Sequence, residues 1–205
     1  KKIIKGYREI VKDGSYPRII LNSIDMNQML NLINAEAFNA LTEDLVNEIA
    51  RIQRAGAQFA VLASNTPHII IDRLKHKSSL PLISIVDSTL NAVAKSKVKK
   101  VCLWGTKTTM NGGFYQKEAA NKGIEIIIPN QKQQDYIHDK YFNELVQGIF
   151  KDDTLKGYIK LAEEIRVEHD IKGLILGGTE LSLVLKPENF PDLKLFDTPD
   201  LHVKE

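Results

Sequence analysis

Short apolar runs alternate along the chain with longer stretches in which apolar residues recur every third or fourth position. The runs are 18–22 (RIILN), 59–63 (FAVLA), 82–86 (LISIV), 98–104 (VKKVCLW), 124–128 (IEIII), 173–176 (GLIL) and 193–196 (LKLF). Each predicts a strand. Most are continuous rather than alternating, the pattern of strands covered by helices on both sheet faces. Between them, 35–55 carries Phe38, Leu41, Leu45, Ile49 and Ile52 on one helical stripe. The segment 152–168 does the same with Leu155, Ile159, Ala162 and Ile165. Strand–helix alternation of this kind predicts an α/β fold with mostly parallel sheets.

The pattern falls into two similar blocks, each with a glycine turn leading into a strand (RAGA at 54–57, NKG at 121–123). We therefore expect two doubly wound lobes, 1–88 and 89–196, meeting near 87–97, with 197–205 returning to the first. The chain opens on Lys1 rather than Met, and its last helical segment begins at Asp200, so further residues are expected at both ends.

Composition narrows the function. A length of 205 residues is enough to bury a substantial core. Lys and Arg number 28 against 26 Asp and Glu, a net charge of +2, with no basic run. That excludes a nucleic-acid binder that works by neutralising many phosphates. A single cysteine excludes a disulfide framework and a cysteine-based zinc site, and fits a reducing cytoplasm. No apolar run reaches the roughly 18–20 residues of a membrane helix, and no signal-peptide pattern is present.

The chemistry is expected beyond the carboxyl ends of the strands, where open parallel sheets bind ligands. FAVLA leads into Ser64-Asn65-Thr66-Pro67-His68, VCLW into Gly105-Thr106-Lys107-Thr108-Thr109-Met110, GLIL into Gly177-Gly178-Thr179-Glu180, and RIILN into Ser23-Ile24-Asp25. Asn65 or Thr66 can cap a helix whose first turn holds Pro67. Four loops rich in hydroxyl and amide groups on one side of the sheets make a site for a carboxylate or phosphate; taken singly, each is a helix cap. Neither GxGxxG nor GxxxxGK[ST] occurs, and the isolated Gly112-Gly113 lacks the rest of either pattern. His68, His76, His138, His169 and His202 are scattered, none in HExxH spacing, so no metal site is expected. His76 and His169 lie in charged, solvated stretches. His68 and His202 fall about a turn beyond strand ends, where they can position their neighbours. Cys102, inside a strand, reads as a buried core residue.

These loops resemble those of the aspartate/glutamate racemase family. Ala63-Ser64-Asn65-Thr66-Pro67-His68 resembles its CNTxH or TNTxH segment. Leu176-Gly177-Gly178-Thr179-Glu180 resembles its GCTE, and Gly105–Met110 lies between them in matching order. The resemblance runs from about Arg18 to His202. It implies two pseudo-symmetric lobes with the site between them, a homodimer, an acidic amino acid as substrate, and no pyridoxal phosphate, metal or other cofactor. In the family, two cysteines flank the substrate α-carbon, one removing its proton and the other delivering one to the opposite face. Ser64 and Gly178 stand at those two positions here. Asn65, Thr66, Thr106, Thr108 and Thr179 resemble the carboxylate clamps. Glu180 and His202 are candidate substitutes for the missing acid and base. The resemblance also expects a first strand and a glycine-rich loop ahead of Lys1. On this reading a thiol restored at 178 should restore proton transfer.

Three functions are therefore open from the sequence. One is a cofactor-independent racemase of aspartate or glutamate, impaired by the loss of both thiols. The second is a non-catalytic relative that binds a dicarboxylate or amino acid, because hydrogen bonds from hydroxyls to a carboxylate survive without thiols. The third is an unrelated flavodoxin-like domain holding a phosphorylated ligand.

Overall fold

The computed structural model describes residues 2–205. It has two parallel sheets in a mixed α/β architecture. The first sheet is small: β1 (Ala60–Val61) pairs in parallel with β2 (Leu82–Ile83). Around it lie α1 (Lys2–Ile10), α2 (Met26–Asn34), α3 (Phe38–Arg54) and α4 (Ile71–Lys77), with a 3-10 turn at Thr66–Ile70. The predicted stripe of α3 is the buried one: Leu41, Leu45 and Ile49 pack with Met29, Ile33, Ile70 and Leu74 into one cluster.

The second sheet has four parallel strands in the order β4 (Glu125–Ile127), β3 (Lys100–Gly105), β5 (Gly173–Gly177) and β6 (Lys194–Asp197). Its two faces divide by the two-residue period of a strand. Val101, Leu103, Ile175 and Phe196 pack on α5 (Ile85–Lys95) and α7 (Phe114–Ala120). Cys102, Trp104, Leu174 and Leu176 pack on α8 (Gln131–Lys140) and α9 (Asp152–His169). Helices on both faces explain why these strands read as unbroken apolar runs. The remaining helices, α6 (Lys107–Asn111), α10 (Leu181–Val184) and α11 (Thr198–Val203), each start just past a strand. The two glycine turns recognised in the sequence hold Gly56 at φ 98° and Gly123 at φ 63°, backbone that side chains rarely adopt.

Two predicted features differ. The run 82–86 is a two-residue strand followed by a helix, because Ser84 accepts a hydrogen bond from the Asp87 N–H and caps α5. A short apolar run does not distinguish the two. As a result, Ile85 and Val86 pack on the second sheet rather than in the first lobe's cluster. The run 18–22 is extended but forms no ladder, because β1 pairs only with β2 among the described residues. Its Ile19, Ile20 and Leu21 remain exposed. The last strand, β6, joins the second sheet, and α11 packs on α5 while reaching β2 of the first sheet through His202.

Truncating the first-lobe core checks this packing. Leu41 is fully buried, so Leu41→Ala should lower unfolding stability by about 2–5 kcal/mol in urea titration.

Candidate active site

The carboxyl ends of β1, β3, β5 and β6 meet around a buried polar seam. Asn65, just past β1, turns its side chain inward rather than capping the turn that follows. Its Nδ2 donates to Thr198 Oγ1 at 3.0 Å, and its Oδ1 accepts from the Tyr115 hydroxyl at 2.6 Å. Thr198, at the end of β6, donates in turn to the Leu176 carbonyl of β5 at 2.8 Å. Beside Asn65, Thr66 joins Thr106 and Thr109 in a triangle of hydroxyls with sides of 3.2, 3.3 and 3.0 Å. The Thr109 N–H donates to Thr106 Oγ1, so Thr106 both caps α6 and closes the triangle. The segment Asn65-Thr66 is thereby tied to β5 through Thr198 and to the loop after β3.

Two histidines fix this seam from behind. His68 is fully buried. Its Nε2 accepts from the Ile85 N–H at 3.2 Å, which leaves Nδ1–H to donate to the Ser64 carbonyl at 2.9 Å. Burial, and then the nearby His202, push its pKa down to about 3, so the ring is neutral at neutral pH. His202 uses its Nε2–H on the Ile83 carbonyl at 2.8 Å, and burial lowers its pKa as well. Both rings position backbone: one holds Ser64, the other the end of β2.

The far side of the site is formed by Gly178, Thr179 and Glu180, just past β5. The Glu180 carboxylate accepts from Thr179 Oγ1 at 2.6 Å and from the hydroxyl of Tyr141. Tyr141 opens a π-helical turn, Tyr141–Leu145, that follows α8. Its ring lies over Gly178: a Cβ there would sit 2.5 Å from Cε2, 3.0 Å from Cζ and 3.2 Å from Cδ2.

Comparisons with known proteins place the chain in a family. A sequence model of the family described as Asp/Glu/hydantoin racemase matches residues 1–205. The chain belongs to the Asp/Glu/hydantoin racemase family. Its sequence is 27% identical over 145 residues to the broad specificity amino-acid racemase RacX of Bacillus subtilis, covering 69% of this chain and 60% of that protein. The match thus spans less than two thirds of that relative's length. Among solved structures, PH1733, an aspartate racemase homologue from Pyrococcus horikoshii, superposes with a TM-score of 0.85 at 33% identity, over 99% of this chain and 88% of that one. The aspartate racemase of Picrophilus torridus, at 20% identity and a TM-score of 0.68, covers 97% of this chain and 84% of that one and shares the fold. Family membership sets aside an unrelated flavodoxin-like domain.

Within this racemase-family chain, the residues singled out in the sequence separate into groups. Asn65, Thr66 and Thr106 come together and face one another in the seam. Ser64, Thr179 and Glu180 are partly exposed along its border, and Gly178 is buried. Thr108 lies half-buried in α6 and takes no part in the hydroxyl triangle. In Ser23–Asp25, Asp25 caps α2. Cys102 is fully buried in β3, and burial pushes its thiol pKa strongly up, so it is no proton carrier. Among the described residues no group of three or more His, Cys, Asp or Glu is placed to hold a metal. Thr109, Tyr115, Thr198 and Tyr141 escaped the sequence reading. Thr198 carries a usable signal, since it follows a strand as the others do. Tyr115 and Tyr141 carry none, each being a tyrosine in a helix.

Two measurements test the seam. Tyr115→Phe leaves the Asn65 oxygen without its buried partner and should cost about 1–3 kcal/mol of stability. His68 is neutral in the folded protein, whereas in the unfolded chain it protonates below about pH 6.5. Its contribution is therefore complete above about 6.5 and is lost as pH falls toward 3. Stability against pH should slope by up to about 1.4 kcal/mol per unit over that window, and His68→Gln should remove this part of the slope.

Proposed function

We propose that this chain is a cofactor-independent racemase of aspartate or glutamate whose turnover is slow. The carrying observation is the seam that joins Asn65 and Thr66, past the first sheet, to Thr106, Thr109 and Thr198, past strands of the second. An α-proton beside a carboxylate is a very weak acid. Removing it places charge on the α-carbon and the adjoining carboxylate, and fixed dipoles lower the barrier if they already point at that charge. A rigid set of amides and hydroxyls supplies such dipoles without reorganising. The partly exposed Ser64 and Thr108 are the hydroxyls free to meet a substrate carboxylate, Thr179 and Glu180 line the approach beside them, bonded to one another, and Asn65, Thr66 and Thr106 hold the geometry behind. His202 acts from further back, through Ile83.

Names among the relatives support the reaction and the acidic substrate: an amino-acid racemase, an aspartate racemase homologue and an aspartate racemase. The slow rate follows from the two residues at the positions of the family's cysteines. Serine does not ionise near neutral pH, and glycine has no proton to give. A cytoplasmic homodimer is part of the same proposal and follows from the resemblance.

Incubation with L- and D-aspartate and L- and D-glutamate in D₂O tests the reading. The expected outcome is saturable binding by calorimetry together with loss of the α-proton signal above the buffer rate. Saturable binding without exchange identifies a non-catalytic binder. Absence of both overturns the assignment of the site.

A further inference from the structure

The family's second cysteine position is a glycine here, and the space above it is not empty. A Cβ on Gly178 would overlap the Tyr141 ring at 2.5 Å from Cε2, and the nearest alternatives, Cζ and Cδ2, are also in tight contact. The ring edge bearing the hydroxyl therefore fills the space into which any side chain at 178 would grow. The ring is delivered there by a π-helical turn, a local departure from the α-helix that recurs at functional sites. The hydroxyl does not end blindly. It donates to the Glu180 carboxylate, the same oxygen that accepts from Thr179. Glu180 itself is partly exposed, so protons can pass between it and solvent.

Resting on the reading of the site given above, we infer that Tyr141 and Glu180 form the proton relay of the second-lobe face, in place of a side chain at 178. In the forward step the substrate α-proton bonds to Tyr141 Oη while the Oη proton passes to Glu180 Oε2. The electron pair of the broken C–H bond stays on the α-carbon and spreads into the substrate carboxylate. Tyr141 remains a phenol and Glu180 becomes a carboxylic acid. The reverse step returns a proton from Tyr141 Oη to the α-carbon and one from Glu180 to Oη, after the protons on Oη and on Glu180 have both exchanged with solvent through the partly exposed carboxyl. A bare phenolate is never required, which matters because burial and the Glu180 charge both push the Tyr141 hydroxyl well above its usual pKa. With Ser64 a poor carrier on the opposite face, the relay exchanges the α-proton of one enantiomer faster than it inverts it.

The test uses the intact protein in D₂O with each enantiomer of aspartate and glutamate. Wild type should exchange the α-proton of one enantiomer with deuterium while retaining most of its configuration. Tyr141→Phe keeps the ring and removes the hydroxyl; Glu180→Gln keeps an acceptor and removes the base. Each should lower the exchange rate by about 100-fold or more while binding stays within about threefold. Exchange that is unchanged in both variants overturns the relay and leaves the proposed function standing. No exchange in wild type instead overturns the proposed function. A steric arm needs no turnover. Gly178→Ala should lower the melting temperature in wild type and not in Tyr141→Ala, and equal effects in both backgrounds would overturn the claim that the ring occupies the place of a side chain at 178. For the same reason Gly178→Cys alone should fail to restore proton transfer while the ring is in place.

Discussion

The side-chain amide of Asn65 is the constraint on which the site depends. A buried amide must satisfy donor and acceptor together, and Asn65 does so with Thr198 on one side and Tyr115 on the other. Thr198 is bonded in turn to the backbone of β5. One side chain thus ties the end of a two-stranded sheet to a four-stranded one. Losing either partner strands a polar group away from water, so the cost of misplacing the lobes is concentrated at the place where the chemistry is proposed. The same rigidity suits dipoles that have to be aimed before charge develops.

The histidines follow from the same logic of buried polar groups. His68 satisfies two backbone groups, the Ser64 carbonyl and the Ile85 N–H, and its depressed pKa is the consequence of its burial rather than a sign of acid–base work. Ring, seam and triangle form a continuous support. Through it, the N-terminus of α5 and the loop after β1 are held in one relation.

The opposite wall of the site is organised by a steric exchange. Gly178 carries no side chain past the end of β5, and the Tyr141 ring, from a different part of the chain, occupies the space beside it with its hydroxyl on the Glu180 carboxylate. The two residues are 37 positions apart, and each makes sense only beside the other. A Cβ at 178 requires the ring to shift, so the two positions are sterically coupled.

Much of the fold was written in the chain's pattern. Continuous apolar runs separated by helical stripes specified parallel strands between helices, and Gly56 and Gly123 marked the turns because their backbone needs positive φ. The hydroxyl-rich loops past the strands pointed to the end of the sheets where the buried polar seam lies, since parallel strands all present their carboxyl ends to one side. The pattern was silent on the partner of 18–22 and on the helix hidden in 82–86, because pairing and capping depend on neighbours that periodicity does not record. It was equally silent on which polar groups face one another. Tertiary structure alone turned Asn65 inward, brought Thr198 and Tyr115 to it, and set Tyr141 over Gly178, because those contacts join residues far apart in sequence and only packing decides which of them meet.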